Sequence, residues 1–126
     1  MDEPNVQIIS KDILDIDFND YASQNKDTIL IGSIPYSITT PILLKFLEDC
    51  NLFKKAVFIV QKEMAERLCA DPGKKDYGIF SVYCKTYTTA SIVQIIPAQC
   101  FHPKPKIDSA IIELVPVKDK TWNSDE

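Results

Sequence analysis

Hydrophobic residues fall along the chain in short blocks, and the spacing inside each block predicts its element. Val6-Gln7-Ile8-Ile9 reads as a short strand, and Ser10 to Leu14 leaves it with an acid, Asp12, at its carboxyl end. Asn19 to Asp27 is polar and reads as a short helix or loop. Ile29 to Ile31 is an apolar run, a buried strand, ending at Gly32, where a backbone without Cβ turns sharply. Ile34 precedes a proline and is pushed to extended backbone, while Pro35 fixes its own φ and has no N–H to donate. A stiff loop at a strand's carboxyl end results, presenting the Ile34 carbonyl and the Tyr36 ring in fixed directions. Open α/β sheets bind their ligands at that edge.

The pattern then turns helical. Thr40 suits the N-cap and Pro41 the first helical position, and Ile42, Leu43, Phe46 and Leu47 form one apolar stripe that Cys50-Asn51 closes. Ala56 to Val60 is continuously apolar, as in a strand buried on both faces of a parallel sheet. Gln61 to Ala70 reads as a helix with Ala65, Leu68 and Cys69 inward and a Glu63–Arg67 pair one turn apart, stopped by Asp71-Pro72-Gly73. Tyr77-Gly78 opens another helix to about Tyr87, with Phe80, Tyr83 and Tyr87 on one side. Strands follow at Ser91–Ile96 and Ala110–Val115, joined by a proline-punctuated loop, Phe101 to Lys106, too short for a helix. This last pair is therefore antiparallel. The order is that of an α/β protein with helices between mostly parallel strands.

Composition narrows the class. The 126 residues make one domain at most, with ordinary hydrophobic (45%) and charged (25%) content. No run is long enough to span a membrane, the start is unlike a signal peptide, and a cytoplasmic location is expected. Cys50, Cys69, Cys84 and Cys100 are widely spaced and read as buried, reduced thiols rather than a disulfide framework. Cys100-x-His102 is no more than half a metal site, and no metal is expected. The net charge of −4, from 14 basic and 18 acidic residues, argues against a whole-surface grip on nucleic acid. Lys62, Arg67, Lys74, Lys75, Lys104 and Lys106 leave room for a local basic patch or a solvated mixed surface.

Four blocks in order carry a family resemblance: Gly32-Ser33-Ile34-Pro35-Tyr36-Ser37-Ile38-Thr39-Thr40-Pro41, Val60 to Leu68, Asp76-Tyr77-Gly78, and Phe101-His102-Pro103-Lys104-Pro105-Lys106-Ile107-Asp108-Ser109-Ala110. Together they resemble the ribosomal RNA adenine dimethyltransferases, S-adenosylmethionine-dependent enzymes that dimethylate N6 of adenines in small-subunit rRNA. The relatives that act on large-subunit rRNA share the pattern more loosely. The resemblance implies a Rossmann-like class I methyltransferase fold. This chain would be the C-terminal portion of its sheet, with residues 1–116 a partial catalytic domain and 117–126 a flexible tail.

The resemblance also implies roles. Adenine N6 is a poor nucleophile because its lone pair is delocalised into the ring. A methylase must engage the N–H bonds with acceptors and hold the lone pair in line with the methyl group. Here the acceptors would be Ser33 and the Ile34 carbonyl, on the loop braced by Pro35. Tyr36 would stack on the extruded base and face the charge that develops on it, with Phe101 as the second ring. Asp12, Ile13 and Ser33 fall where the family contacts its cofactor, although Asp12 taken alone reads first as a solvated turn acid. Lys104 and Lys106 would reach RNA phosphates, or serve only solubility.

Two departures bear on activity. The family motif begins with Asn, where this chain has Ser33, a shorter acceptor without the amide's fixed geometry. The family's glycine-rich cofactor loop is also missing. The three glycines, Gly32, Gly73 and Gly78, form no Gly-x-Gly-x-x-Gly, and the two strands expected mid-sheet, between Val6–Ile9 and Ile29–Ile31, have no counterpart. A sheet so cut exposes apolar edges, which a complementing segment or a second copy would cover. Two function classes follow: the catalytic half of an rRNA adenine dimethyltransferase, inactive in isolation, or a non-catalytic RNA-binding or ribosome-assembly module. Small-subunit rRNA or a pre-ribosomal particle is the expected partner of either.

Overall fold

A computed structural model describes residues 6–22, 27–34, 38–73, 78–103 and 106–117. Within them run strands β1 (Ile29–Ser33), β2 (Lys55–Gln61), β3 (Thr88–Ile96) and β4 (Ser109–Pro116), and helices α1 (Thr39–Glu48), α2 (Lys62–Leu68) and α3 (Ile79–Tyr87). One mixed sheet has the order β1-β2-β4-β3. β1 and β2 are parallel and β4 is antiparallel to both its neighbours, so β1, β2 and β3 point the same way. The antiparallel closing pair is as the short connection requires. Its insertion between β2 and β3 was not foreseeable from spacing alone.

Period-two alternation governs the sheet. Ala56, Phe58 and Val60 of β2 and Ala110, Ile112 and Leu114 of β4 are buried on one face, where Ile42, Leu43, Phe46 and Leu47 of α1 and Ala65 and Leu68 of α2 pack onto them. Phe46 lies at the centre, its ring 5.8 Å from Phe58 and 5.9 Å from Phe53. The helical stripe of α1 is therefore the one its spacing predicts. The opposite face of β2 is only half buried, which corrects the expectation of a strand buried on both sides. That face instead carries Ile29, Ile31, Val57, Ile59 and Ile111, with Lys55 and Glu113 paired across it at 2.9 Å.

Several boundaries move. Val6–Ile9 joins no strand and Ile8 is 91% exposed, because an extended segment is a strand only when a neighbour takes its hydrogen bonds. Gly32 lies inside β1 rather than at a turn. A Cβ there would sit 3.7 Å from the Phe58 ring, an ordinary contact, and the strand continues to Ser33. The left-handed glycine is Gly73, φ 88°, just after α2. α1 begins at Thr39, with Ile38 at the cap and no side-chain capping bond, so Thr40 is inside the first turn. Pro41 costs nothing there, since N–H groups of a first turn have no helical partner. Gln61 belongs to β2, where it pairs with Ser109, and Glu63 and Arg67 form no ion pair. Asn19 falls in a 3-10 turn, Phe18–Asp20.

Between α2 and α3 the seam is polar and closed. The buried Ser81 hydroxyl donates to the Arg67 carbonyl and accepts the Gly78 N–H at 3.2 Å. Phe80, Tyr83 and Tyr87 of α3 pack against the core as their spacing predicts, Tyr83 and Tyr87 edge to face at 5.1 Å. No helix among the described residues is long and apolar enough to cross a membrane.

Candidate active site

The carboxyl ends of β1 and β2 and the start of β4 meet at one edge of the sheet. Ser33 is opposite Ile59 in the register, and Gln61 is opposite Ser109, which is also opposite Ile96 at the end of β3. Ser33 is exposed as the last residue of β1. The next residue, Ile34, is buried, and its N–H donates to the Ile59 carbonyl at 3.1 Å, carrying the parallel ladder one step beyond the strand. Its side chain belongs to the hydrophobic core, so the backbone at position 34 is anchored from below. Pro35 and Tyr36 lie outside the described residues.

The loop between β3 and β4 opens on the same edge. Pro97 leads into a 3-10 turn, Ala98–Cys100, and Phe101 follows it, half buried, its N–H donating to the Ala98 carbonyl at 3.2 Å. Lys106 is exposed, and Lys104 lies outside the described residues. Strands lie about 4.8 Å apart, so with β2 between them the ends of β1 and β4 are roughly 10 Å apart at this edge. Ser33, Ile34, Phe101 and Lys106 therefore share a rim.

Asp12 is placed differently. It caps the 3-10 turn Ile13–Asp15, its carboxylate accepting the Leu14 N–H at 2.9 Å. This is the turn-acid geometry. Asp12 is exposed, and its second carboxylate oxygen takes no part in that cap. Ile13 packs against the core beside it. None of the four cysteines forms a disulfide. Cys50 and Cys84 are buried as expected, Cys69 is half buried, and Cys100 is exposed on the rim loop, against the expectation that all four are internal.

Sequence reasoning assigned no role to Asp108, yet its carboxylate accepts the Ala98 N–H at 2.9 Å across the base of the rim loop. An acid directly before a strand and after a proline loop was the available signal.

The statistical model of the ribosomal RNA adenine dimethylase family matches residues 1–125. The chain belongs to that family. Among its dimethylase relatives, ribosomal RNA small subunit methyltransferase A of Clostridium perfringens is 41% identical over 113 residues, 90% of this chain. The protein of the same name from Geobacter metallireducens is 40% identical over 119 residues, 93% of this chain. The chain spans only 40% and 43% of those two relatives' lengths.

Solved structures agree on the fold. A dimethyladenosine transferase from Plasmodium falciparum superposes with a TM-score of 0.71 at 32% identity, covering 78% of this chain and 36% of its own. The 23S rRNA methyltransferase ErmE gives a TM-score of 0.79 over 97% of this chain and 47% of its own. At 24% identity that likeness speaks for the fold alone. The sheet of this dimethylase-family chain is thus a Rossmann-like methyltransferase sheet.

Proposed function

We propose that this chain is the base-binding portion of an rRNA adenine N6-dimethyltransferase, acting in the cytoplasm on adenines of small-subunit rRNA and inactive in isolation. One observation carries the reading: in a dimethylase-family chain, Ser33 and Ile34 and the Phe101 loop open on one carboxyl edge of the sheet. Ser33 and the Ile34 carbonyl serve as acceptors for the N6 hydrogens, so that the lone pair localises toward the methyl donor. Tyr36 and Phe101 sandwich the extruded adenine, and Lys104 and Lys106 hold flanking phosphates.

S-adenosylmethionine, when bound, supplies an electrophilic methyl group. The exposed Asp12 carboxylate suits its adenine amine, and Ile13 and Ser33 flank the same cofactor. Nothing in the three glycines of the chain provides a phosphate-type or amino-acid cradle, so the methionine end is held by a segment from outside this chain. That segment, or a second copy, also covers the exposed residues of β1.

Calorimetric titration of S-adenosylmethionine tests this. The chain alone is expected to bind the cofactor weakly or not at all. Adding the part of the Clostridium relative that lies outside the match is expected to restore binding and methyl transfer to an rRNA-derived oligonucleotide. RNA binding with no cofactor affinity in the completed complex establishes the non-catalytic module instead.

A further inference from the structure

Asp108 closes the loop that carries Phe101. Its carboxylate accepts the Ala98 N–H at 2.9 Å and its carbonyl accepts the N–H of Lys62, the first residue of α2, at 3.0 Å. Ala98 passes the connection on, because its carbonyl accepts the Phe101 N–H at 3.2 Å while Cys100 N–H donates to Pro97 at 3.0 Å. An unbroken run of hydrogen bonds thus leads from the start of α2 through Asp108 and Ala98 to the backbone of Phe101. Ala98 and Ser109, at the two ends, are buried, so the base of the loop is fixed, while Phe101 is half buried and Lys106 exposed.

A charged acceptor on a backbone N–H is stronger than a neutral one, and it opposes the entropy of an otherwise open loop. We propose that Asp108 is a positioning residue whose carboxylate, by latching the loop between β3 and β4 to Ala98, sets the Phe101 ring for stacking on a purine. The proposal rests on the stacking role given to Phe101 above. A loop held only by its ends would leave that ring free to swing away from the rim. Asn at position 108 keeps an acceptor oxygen of the same reach, whereas Ala keeps none.

The test compares Asp108→Ala, Asp108→Asn and Phe101→Ala in the full chain by amide hydrogen exchange and by quenching of 2-aminopurine in a single-stranded rRNA-derived oligonucleotide. Asp108→Ala is expected to speed exchange at Ala98 about tenfold or more and to weaken the quenching-detected binding at least about fivefold. Ile112 and Leu114 in the core stay protected, and Asp108→Asn restores most of both signals. Weaker binding in Phe101→Ala with none in Asp108→Ala overturns the proposal and leaves the stacking role standing. Lost protection throughout β4 in Asp108→Ala, with no rescue by Asn, also overturns it, since the carboxylate is then a general structural support. Equal quenching by wild type and Phe101→Ala removes the stacking role and the proposal with it.

Discussion

Ser33 ends β1 in the open, one residue before a buried isoleucine whose N–H is tied to β2. In the acceptor role proposed for it, its hydroxyl is shorter than an amide and free to rotate. Ser33→Asn in the completed enzyme is expected to raise kcat about tenfold, the worth of one well-aimed acceptor in a transition state. Turnover of an rRNA-derived oligonucleotide measures it, and an unchanged or lower kcat removes Ser33 from the acceptor role. That an apolar strand runs up to this residue was legible from Ile29 to Ile31, although the sequence placed its end at Gly32, one residue early. Gly32 was misread for an equally local reason. Glycine signals a turn in sequence, and nothing nearby in the chain reveals that the Phe58 ring lies beside it from another strand. The Asp108 latch was hidden in the same way, because Ala98 comes ten positions earlier and the contact exists only once β3 and β4 have paired.

At the scale of elements, the end of α2 and the length of α3 carry groups that resist ionisation. Burial pushes the Cys69 thiol, just after α2, up from 9.0 to about 11, and it also raises Cys84 and Tyr83 on α3. The unfolded chain releases these protons at lower pH than the native one does. Stability from Cys69 is therefore complete below about pH 9 and lost as pH rises toward about 11. Denaturation midpoints across that window are expected to fall with pH, and Cys69→Ala to flatten the slope in part, since Cys84 and Tyr83 remain. An identical slope in the variant assigns the alkaline loss elsewhere. Helices such as these were readable because Ile42, Leu43, Phe46 and Leu47 recur with a period that no strand shares. Strand membership is less local. Val6–Ile9 has the composition of a strand and pairs with no strand among the described residues, whereas β4 enters the sheet between β2 and β3, an order that its own residues do not encode.

Across the whole molecule, the buried apolar side chains lie on one face of a sheet whose edge strand, β1, offers its other face and its outer backbone to solvent. Ile31 is 74% exposed and Ile29 41%, an arrangement that stable isolated sheets avoid. A segment that binds this face stabilises the folded chain by mass action, about 2.7 kcal/mol at a hundred times its Kd, enough for a rise of roughly 10 °C in Tm. The part of the Clostridium relative outside the match is the segment to supply. Ile31→Lys provides the control, because a residue so exposed contributes little to the folding of the chain alone, within about 0.5 kcal/mol. Its Tm without the segment should match wild type. With the segment, most of the rise should vanish, because a lysine facing an apolar layer must lose its hydration or hold the layers apart. A rise equal to wild type in Ile31→Lys would mean that the segment docks elsewhere. A rise absent from both would mean that this face, for all its isoleucine, is not where the chain is completed.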